Sequence, residues 1–540
     1  MKKRIAKKIF QNQGWIILLA LSLLVTLLRL PSLEQPFDND SGANAYHARL
    51  IVDGEPLYGT HHPAHHMPAV YYVYALGFLL LGDSTWAVKF LLIPWTIVTA
   101  YLLYRLGVSV MDRATGLLAA LFYVILSSHV LLYGTTAEIE LFANLPRIAA
   151  FLVLMHLTTR QAAAWKFVFV GLLSAMAFLF KAVYLSPLAL AGWVLLAELW
   201  RTRTAPGAWR RAMRRGLWVG LGFVAALLLV VAYFALVGLL PRFLLVFTLG
   251  QEYVNFRQDI PSVQQYWPFY PLLGLAVNNV ALLILSLAGF VAVGMSRLRD
   301  TFSQKAKAIP CVCPPGQSPD LPPPQGQGAF YVAIWYLFSF FEAGITRVLF
   351  FHYYLLIVPP LALLAAWFLL RIYRDLQVHT ARRSVATWLL ATVLAVTFFF
   401  SARQNFNYYS LYTRYKLGEG TYRDFLLDGW PDHKGIESVR VEELVDYIQR
   451  HTVPSDRIYY WSGGVQLYYL ADRRCPIDVI WPVYAKATGP YERIFVPQTK
   501  YVIVGESNNV PRPDWLYAEL AKAYELETVI RDQEIYRRAD

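Results

Sequence analysis

Asp38, Asp40, Glu138, Glu140, Lys181 and Arg347 are charged residues set at the edges of apolar stretches. Asp38 and Asp40 lie in Phe37-Asp38-Asn39-Asp40, shortly after the first apolar stretch, and Glu138 and Glu140 open a later one. Lys181 closes the run from Gly171, and Arg347 precedes His352-Tyr353-Tyr354. A carboxylate can take a proton from a hydroxyl nucleophile. Lys and Arg can hold a phosphate and stabilise charge on a departing phosphate oxygen. Together they suit transfer of a group from a phosphate-linked donor to a hydroxyl or an amine. Carboxylates at the mouth of a membrane bundle are costly to desolvate and point to function. Each residue also has a plainer reading. Asp and Asn favour turns, Glu138 and Glu140 suit a helix start, and Lys181 suits a lysine reaching back to the interface. Arg147, after Pro146 inside an apolar run, is expected to pair with Glu138 or Glu140.

His61-His62-Pro63-Ala64-His65-His66 offers four imidazoles to a divalent metal ion. The spacing fixes no coordination geometry, so these histidines suit the lining of a polar pocket equally. Cys311 and Cys313 form a Cys-x-Cys pair without a second pair of ligands.

The elements that must position these groups are membrane helices. Of 540 residues, 57% are hydrophobic and 16% charged, and the mean hydropathy is +0.39. A soluble chain carries roughly 25% charged residues, so this is a polytopic membrane protein. The net charge of +13 is gathered in short loops between apolar runs, with no nucleic-acid-binding motif, so no nucleic-acid partner is expected. Basic loops stay cytoplasmic. Eleven stretches approach the roughly 20 apolar residues of a span: 14–30, 86–105, 115–134, 140–158, 166–181, 183–200, 217–240, 267–296, 329–345, 351–371 and 384–402. The clusters Lys2 to Lys8, Arg201 to Arg215, Arg297 to Lys307 and Arg371 to Arg383 all fall inside if Ala69 to Leu81 does not cross. That stretch is short, starts after Pro68, carries three Tyr, and reads as an interfacial helix. The first stretch reads as a retained span, since no small-residue cleavage site follows it.

After Ser401 the pattern becomes polar. A helix over 441–450, strands over 457–461 and 500–504, a helix over 514–524 and a final strand predict a small α/β domain. The expected organisation is a transmembrane domain, 1–402, with a catalytic outer loop, 31–85, then an extracytoplasmic domain, 403–540. The N-terminus is expected in the cytoplasm. The Pro-rich stretch 309–327 reads as a cytoplasmic linker. Trp461-Ser462-Gly463-Gly464 lacks the spacing of a nucleotide fingerprint.

The order is an acidic pair in the first outer loop, a Pro-started aromatic helix, and the Gly171 to Lys181 span. Tyr353-Tyr354-Leu-Leu-Ile-Val-Pro-Pro360 and an external C-terminal domain follow. This order resembles the GT-C integral-membrane glycosyltransferases, especially bacterial relatives of the protein O-mannosyltransferases and lipid A aminoarabinose transferases. The resemblance covers nearly the whole chain in architecture and rests on short motifs. It implies a polytopic α-helical fold of about eleven spans and a polyprenyl-phosphate sugar donor. The acceptor it implies is a lipid, glycan or protein at the outer face of the plasma membrane. It makes Asp40 the catalytic acidic position with Asp38 beside it, and Glu138 or Glu140 the second acidic position. Lys181 matches the lysine that closes the family's Gly-containing span, and Arg347 and Tyr354, read from this chain's own residues, are expected to join it as donor-phosphate ligands. Many relatives carry Lys or Arg before the Pro where this chain has His62, which bears on how that loop meets the phosphate. A transporter or flippase would also be polytopic with intramembrane charges. It usually shows internal repeats and helices interrupted near the midplane, and this chain shows no repeat.

Overall fold

A computed structural model describes residues 2–59, 66–160, 162–258, 270–306, 327–345, 350–378, 383–430, 434–477, 480–482, 491–505 and 512–539. The N-terminal part is helical: α1 Lys2–Arg29, α2 Asn39–Val52, α3 Ala69–Leu81, α4 Thr85–Val110, α5 Arg113–Ser127, α6 Ile139–Thr159, α7 Val168–Phe178, α8 Ser186–Thr202 and α9 Ala208–Leu236. It continues through α10 Leu240–Gln258, α11 Tyr270–Ala306, α12 Gln327–Gly344, α13 Val358–Gln377 and α14 Arg383–Lys416. Among the described residues, Gly14–Glu34, Thr85–Val110, Ile139–Thr159, Ala208–Leu236 and Asn279–Arg297 are long and apolar enough to cross a membrane. Shorter apolar helices, α3, α5 and α7 among them, pack between these.

Three expectations shift for local reasons. The stretch 115–134 leaves the helix at Ser127, because the chain turns through Val130–Leu132 and Tyr133 takes a left-handed conformation, φ 55°. The stretch 351–371 begins as a 3-10 turn, Phe351–Leu356, and α13 starts only where Pro359 and Pro360 can occupy its first turn. Helix α10, with Pro241 near its start, was not expected.

Helix α2 was read as polar loop. Asp38 caps it, accepting from the Ser41 N–H at 3.2 Å, which is an N-cap arrangement. The sequence hides this helix because it lacks an apolar stripe. Ser41, Gly42, Ala43, Asn44, Ala45, Tyr46, His47 and Ala48 are all buried, so every face is in contact. At Gly42 an added Cβ would lie 2.2 Å from Gln466 Cβ, so only glycine admits that approach.

The C-terminal part comprises α15 Tyr422–Gly429, α16 Lys434–His451, β1 Arg457–Trp461, α17 Gln466–Ala471, β2 Thr499–Gly505, α18 Asp514–Ala523, β3 Tyr524–Ile530 and β4 Gln533–Arg538. The sheet order is β1-β2-β4-β3, with β1 and β2 parallel and the other pairs antiparallel. Strands β1 and β2 are almost wholly buried, as their apolar runs require. The expected boundary at 402–403 falls inside α14, which continues to Lys416. Four tyrosines clasp the segment before α2. Tyr409 donates to Leu28 O at 2.8 Å, Tyr408 to Gln35 Oε1 at 3.1 Å, Tyr412 to Glu34 Oε1 at 3.0 Å and Tyr422 to Glu34 O at 3.0 Å. From the other side, Val465 N–H donates to Asn39 Oδ1 at 3.0 Å, and Arg49 bonds Tyr469 O at 2.9 Å and Asp83 at 2.5 Å.

Candidate active site

The segment carrying Asp38 and Asp40 is held from below by α4. The buried Lys89 ammonium donates to Gln35 O at 2.6 Å and Pro36 O at 3.0 Å. The turn carrying Glu138 is held by Arg29 at the end of α1, which donates to Gly134 O at 2.9 Å and Ser127 O at 2.8 Å. Both turns expose several backbone carbonyls inside the bundle, where water is not at hand, and each cation satisfies two of them.

The acidic residues expected from sequence meet. Asp38 and Glu138 are 3% and 2% exposed, Glu140 is 1%, and Asp40, in the first turn of α2, is half-buried. Glu140 accepts from Tyr184 Oη at 2.5 Å and lies 3.7 Å from Lys181 Nζ. Lys181 Nζ also lies 3.7 Å from the ring centre of Tyr353, a cation–π contact. Tyr354 is fully buried beside it in the Phe351–Leu356 turn. Arg347, His61, His62 and His65 lie outside the described residues. The neighbouring His66 is tied through its backbone, its carbonyl accepting from Tyr58 Oη at 2.8 Å and its N–H donating to Tyr71 Oη at 3.2 Å.

The cluster that can hold a metal ion is built from other residues. One donor atom each of Asp40, Glu138 and His352 lie within 4.8 Å of one another. His352 is buried, and its Nδ1 has no hydrogen-bond partner among the described residues, as a ligand atom requires. Two carboxylates and an imidazole fit a divalent transition metal.

One further residue has no counterpart in the sequence reading, and one takes a different partner. Lys434, on α16, reaches Asp38 with its ammonium, lies 3.8 Å from Glu138 Oε1, and covers the Tyr133 ring at 3.6 Å. No sequence signal marks it, since Asp432-His433-Lys434-Gly435 reads as solvated surface. Arg147 pairs with Glu342 at 2.6 Å rather than with Glu138 or Glu140. It also bonds Leu356 O at 2.9 Å, Ser339 Oγ at 3.0 Å and Ser186 Oγ at 3.1 Å, while Asn144 donates to Leu355 O at 2.9 Å. This network fixes the turn that presents His352 and Tyr353.

The charges tune one another. Burial pushes the Asp38 carboxyl up, but the Lys434 ammonium and the Ser41 N–H offset this and leave it below the usual range. Burial and the adjacent Asp38 charge push Asp40 up to about 6. Burial and Asp38 hold Glu138 well above its usual range. A carboxylate at such a value is matched to accepting a proton near neutral pH.

Residues 61–213 match the family model of the dolichyl-phosphate-mannose-protein mannosyltransferases. The fold is similar to that of Cupriavidus metallidurans ArnT in the apo state, with a TM-score of 0.52 and 15% identity over 97% of this chain and 98% of that one. The same protein bound to undecaprenyl phosphate matches with a TM-score of 0.52 and 14% identity, again over 97% of this chain and 98% of that one. The Archaeoglobus fulgidus oligosaccharyltransferase in complex with Zn and sulfate matches with a TM-score of 0.53 and 13% identity over 91% of this chain and 68% of that one. No curated protein matches by sequence. The structural likeness, at 13–15% identity, carries the fold alone. This chain is therefore similar in fold to ArnT and to the archaeal oligosaccharyltransferase over more than nine-tenths of its length, and in sequence to the mannosyltransferase family over residues 61–213.

Proposed function

We propose that this enzyme moves a sugar from a polyprenyl-phosphate donor to a hydroxyl or amine of a lipid, glycan or protein at the outer face of the plasma membrane. The observation that carries the reading is the meeting of Asp40, Glu138, Glu140 and Lys181, from three separate chain segments, in one cluster. The acceptor oxygen or nitrogen attacks the anomeric carbon, and the bond from that carbon to the phosphate oxygen breaks. The acceptor proton passes to Asp40, and polyprenyl phosphate leaves with its new charge beside Lys181. Asp38, ionised and paired, keeps its place beside Asp40 and does not compete for that proton. Asp40, Glu138 and His352 would hold a divalent cation, which would supply Lewis-acid charge to the donor phosphate. Undecaprenyl phosphate bound to the ArnT fold and dolichol phosphate bound to the archaeal oligosaccharyltransferase favour this donor class.

Lys181 gives the reading a direct test. Each charge-assisted hydrogen bond contributes about 1.5–3 kcal/mol, so Lys181→Met is expected to weaken donor use by roughly 10–150-fold with melting little changed. Activity with a nucleotide sugar in lipid-free detergent, and none with a polyprenyl-phosphate sugar, overturns the reading.

The topology follows from the basic loops, with 1–13 and 201–216 inside and the C-terminal sheet outside. Single cysteines at the exposed positions Arg210 and Lys522 test it with a membrane-impermeant thiol reagent in intact cells. Position 522 is expected to label and position 210 to stay silent. The reverse pattern places the acidic cluster on the cytoplasmic side and removes the lipid-linked donor with it.

A further inference from the structure

Lys434 stands apart from the other site residues, because it comes from the C-terminal α/β part and not from the membrane bundle. Its side chain is only 11% exposed. Removing an ammonium from water is costly unless its surroundings replace the lost hydration. Here Asp38, Glu138 and the face of Tyr133 do so from three sides. Tyr133 holds a left-handed backbone, φ 55°, which a bulky residue adopts only when its surroundings over-determine it. Lys434 can approach because Gly435 follows it. An added Cβ there would lie 2.2 Å from Leu426 O and 2.9 Å from Leu427 O, so α16 packs against α15 with no side chain between.

The two carboxylates that share this ammonium occupy equivalent places. Asp38 caps α2, whose first turn carries Asp40. Glu138 is the N-cap residue of α6, whose first turn carries Glu140, and it accepts from Thr136 Oγ1 at 2.9 Å. One ammonium therefore pins the starts of both helices that carry the acidic groups. With Asp38, Glu138 and an aromatic face around it, Lys434 is committed to these carboxylates.

We propose that Lys434 is a positioning residue through which the C-terminal part completes the catalytic pocket, bridging Asp38 and Glu138 so that Asp40 is aimed at the acceptor. This rests on the transferase reading above. Without the ammonium, the starts of α2 and α6 lose the side chain that bridges them, and Asp40 loses its placement. A displacement of about 1 Å at a reacting group costs on the order of 100-fold in rate.

The test uses the full-length protein in lipid nanodiscs with a labelled polyprenyl-phosphate sugar, and compares Lys434→Met, Lys434→Arg, Asp38→Asn and the pair Asp38→Asn/Lys434→Met. Lys522→Met, on an exposed face of α18, is the control. Lys434→Met is expected to lower kcat by about 100-fold while the donor KM moves by less than about threefold. Lys434→Arg should recover most of the rate, since a guanidinium can engage two carboxylates. Lys434→Met should cost little further in the Asp38→Asn background, in both rate and melting. Equal activity of Lys434→Met and the unaltered protein overturns the proposal. So does a loss that Arg does not restore, or additive effects of the two substitutions on melting. If the unaltered protein transfers no sugar from any lipid-linked donor, the transferase reading falls, and the catalytic role of Lys434 falls with it.

Discussion

Asp40→Asn is expected to give a folded, membrane-inserted protein in which sugar transfer is lost or nearly lost. A hydroxyl is a weak nucleophile until its proton is accepted, and a positioned general base contributes about 100- to 10,000-fold. Asn keeps the size and polarity of Asp40 but cannot take the proton. It also gives up the anionic oxygen that would meet a metal ion beside Glu138 and His352. Because Asp40 is half-buried and no described ion pair holds it, the substitution leaves the fold's polar network intact. Melting should therefore change little, which separates loss of chemistry from loss of structure. Near-normal turnover by the Asn variant removes Asp40 from the reaction and makes Glu138 the next base to test.

The largest effect on stability is expected at Arg147. Its guanidinium is fully buried and pairs with Glu342, and its other hydrogen bonds tie α6 to α8, α12 and the Phe351–Leu356 turn. Arg147→Met leaves the Glu342 carboxylate without its cation, held among the described residues only by the Ser186 N–H, and takes a donor from Leu356 O and Ser339 Oγ. Removing one member of a buried pair typically costs about 3–5 kcal/mol. Replacing both members with apolar residues removes the uncompensated charge, so Arg147→Met/Glu342→Leu should melt nearer to the unaltered protein than Arg147→Met does. Thermal melting in detergent reads both. Activity should stay low in the double variant, because the turn that presents His352 and Tyr353 has lost the Arg147 bond to Leu356 O that helps set its position. A single variant that melts like the unaltered protein contradicts this role for the network.

Much of the fold is legible in the sequence where burial has a simple period or a length limit. The long apolar runs appear as helices, and the short strands at 457–461 and 500–504 fall close to their expected places. Helix α2 was illegible because it is buried on every face and carries small and polar residues, so no periodic stripe marks it. The division of 351–371 follows from Pro359 and Pro360, a signal present in the sequence but outweighed by the continuous apolar run. The acidic pair, Glu138, Glu140 and Lys181 are visible as candidates in the sequence because charges at the rims of apolar stretches stand out. Lys434 was not found, since a lysine in a polar segment differs from its neighbours only in what it touches. The partner of Arg147 was misread for a related reason. Glu138 and Glu140 are near it in the chain, whereas Glu342 becomes its neighbour only after α12 packs against α8 and the turn before α13. The histidines before α3 stood out by their number, but the imidazole gathered with Asp40 and Glu138 belongs to His352, on a turn far along the chain.

Asp40 and its cluster are proposed to transfer a sugar from a lipid-linked phosphate donor at the outer face of the membrane. Mass spectrometry of surface glycans, lipids and polyprenyl-phosphate sugars tests it most directly, comparing cells with the unaltered chain, with Asp40→Asn and with no chain. One sugar-sized mass is expected to disappear from a surface lipid, glycan or protein in both altered strains, while the matching polyprenyl-phosphate sugar accumulates. Identical surface glycans and an unchanged donor pool in all three strains would contradict it.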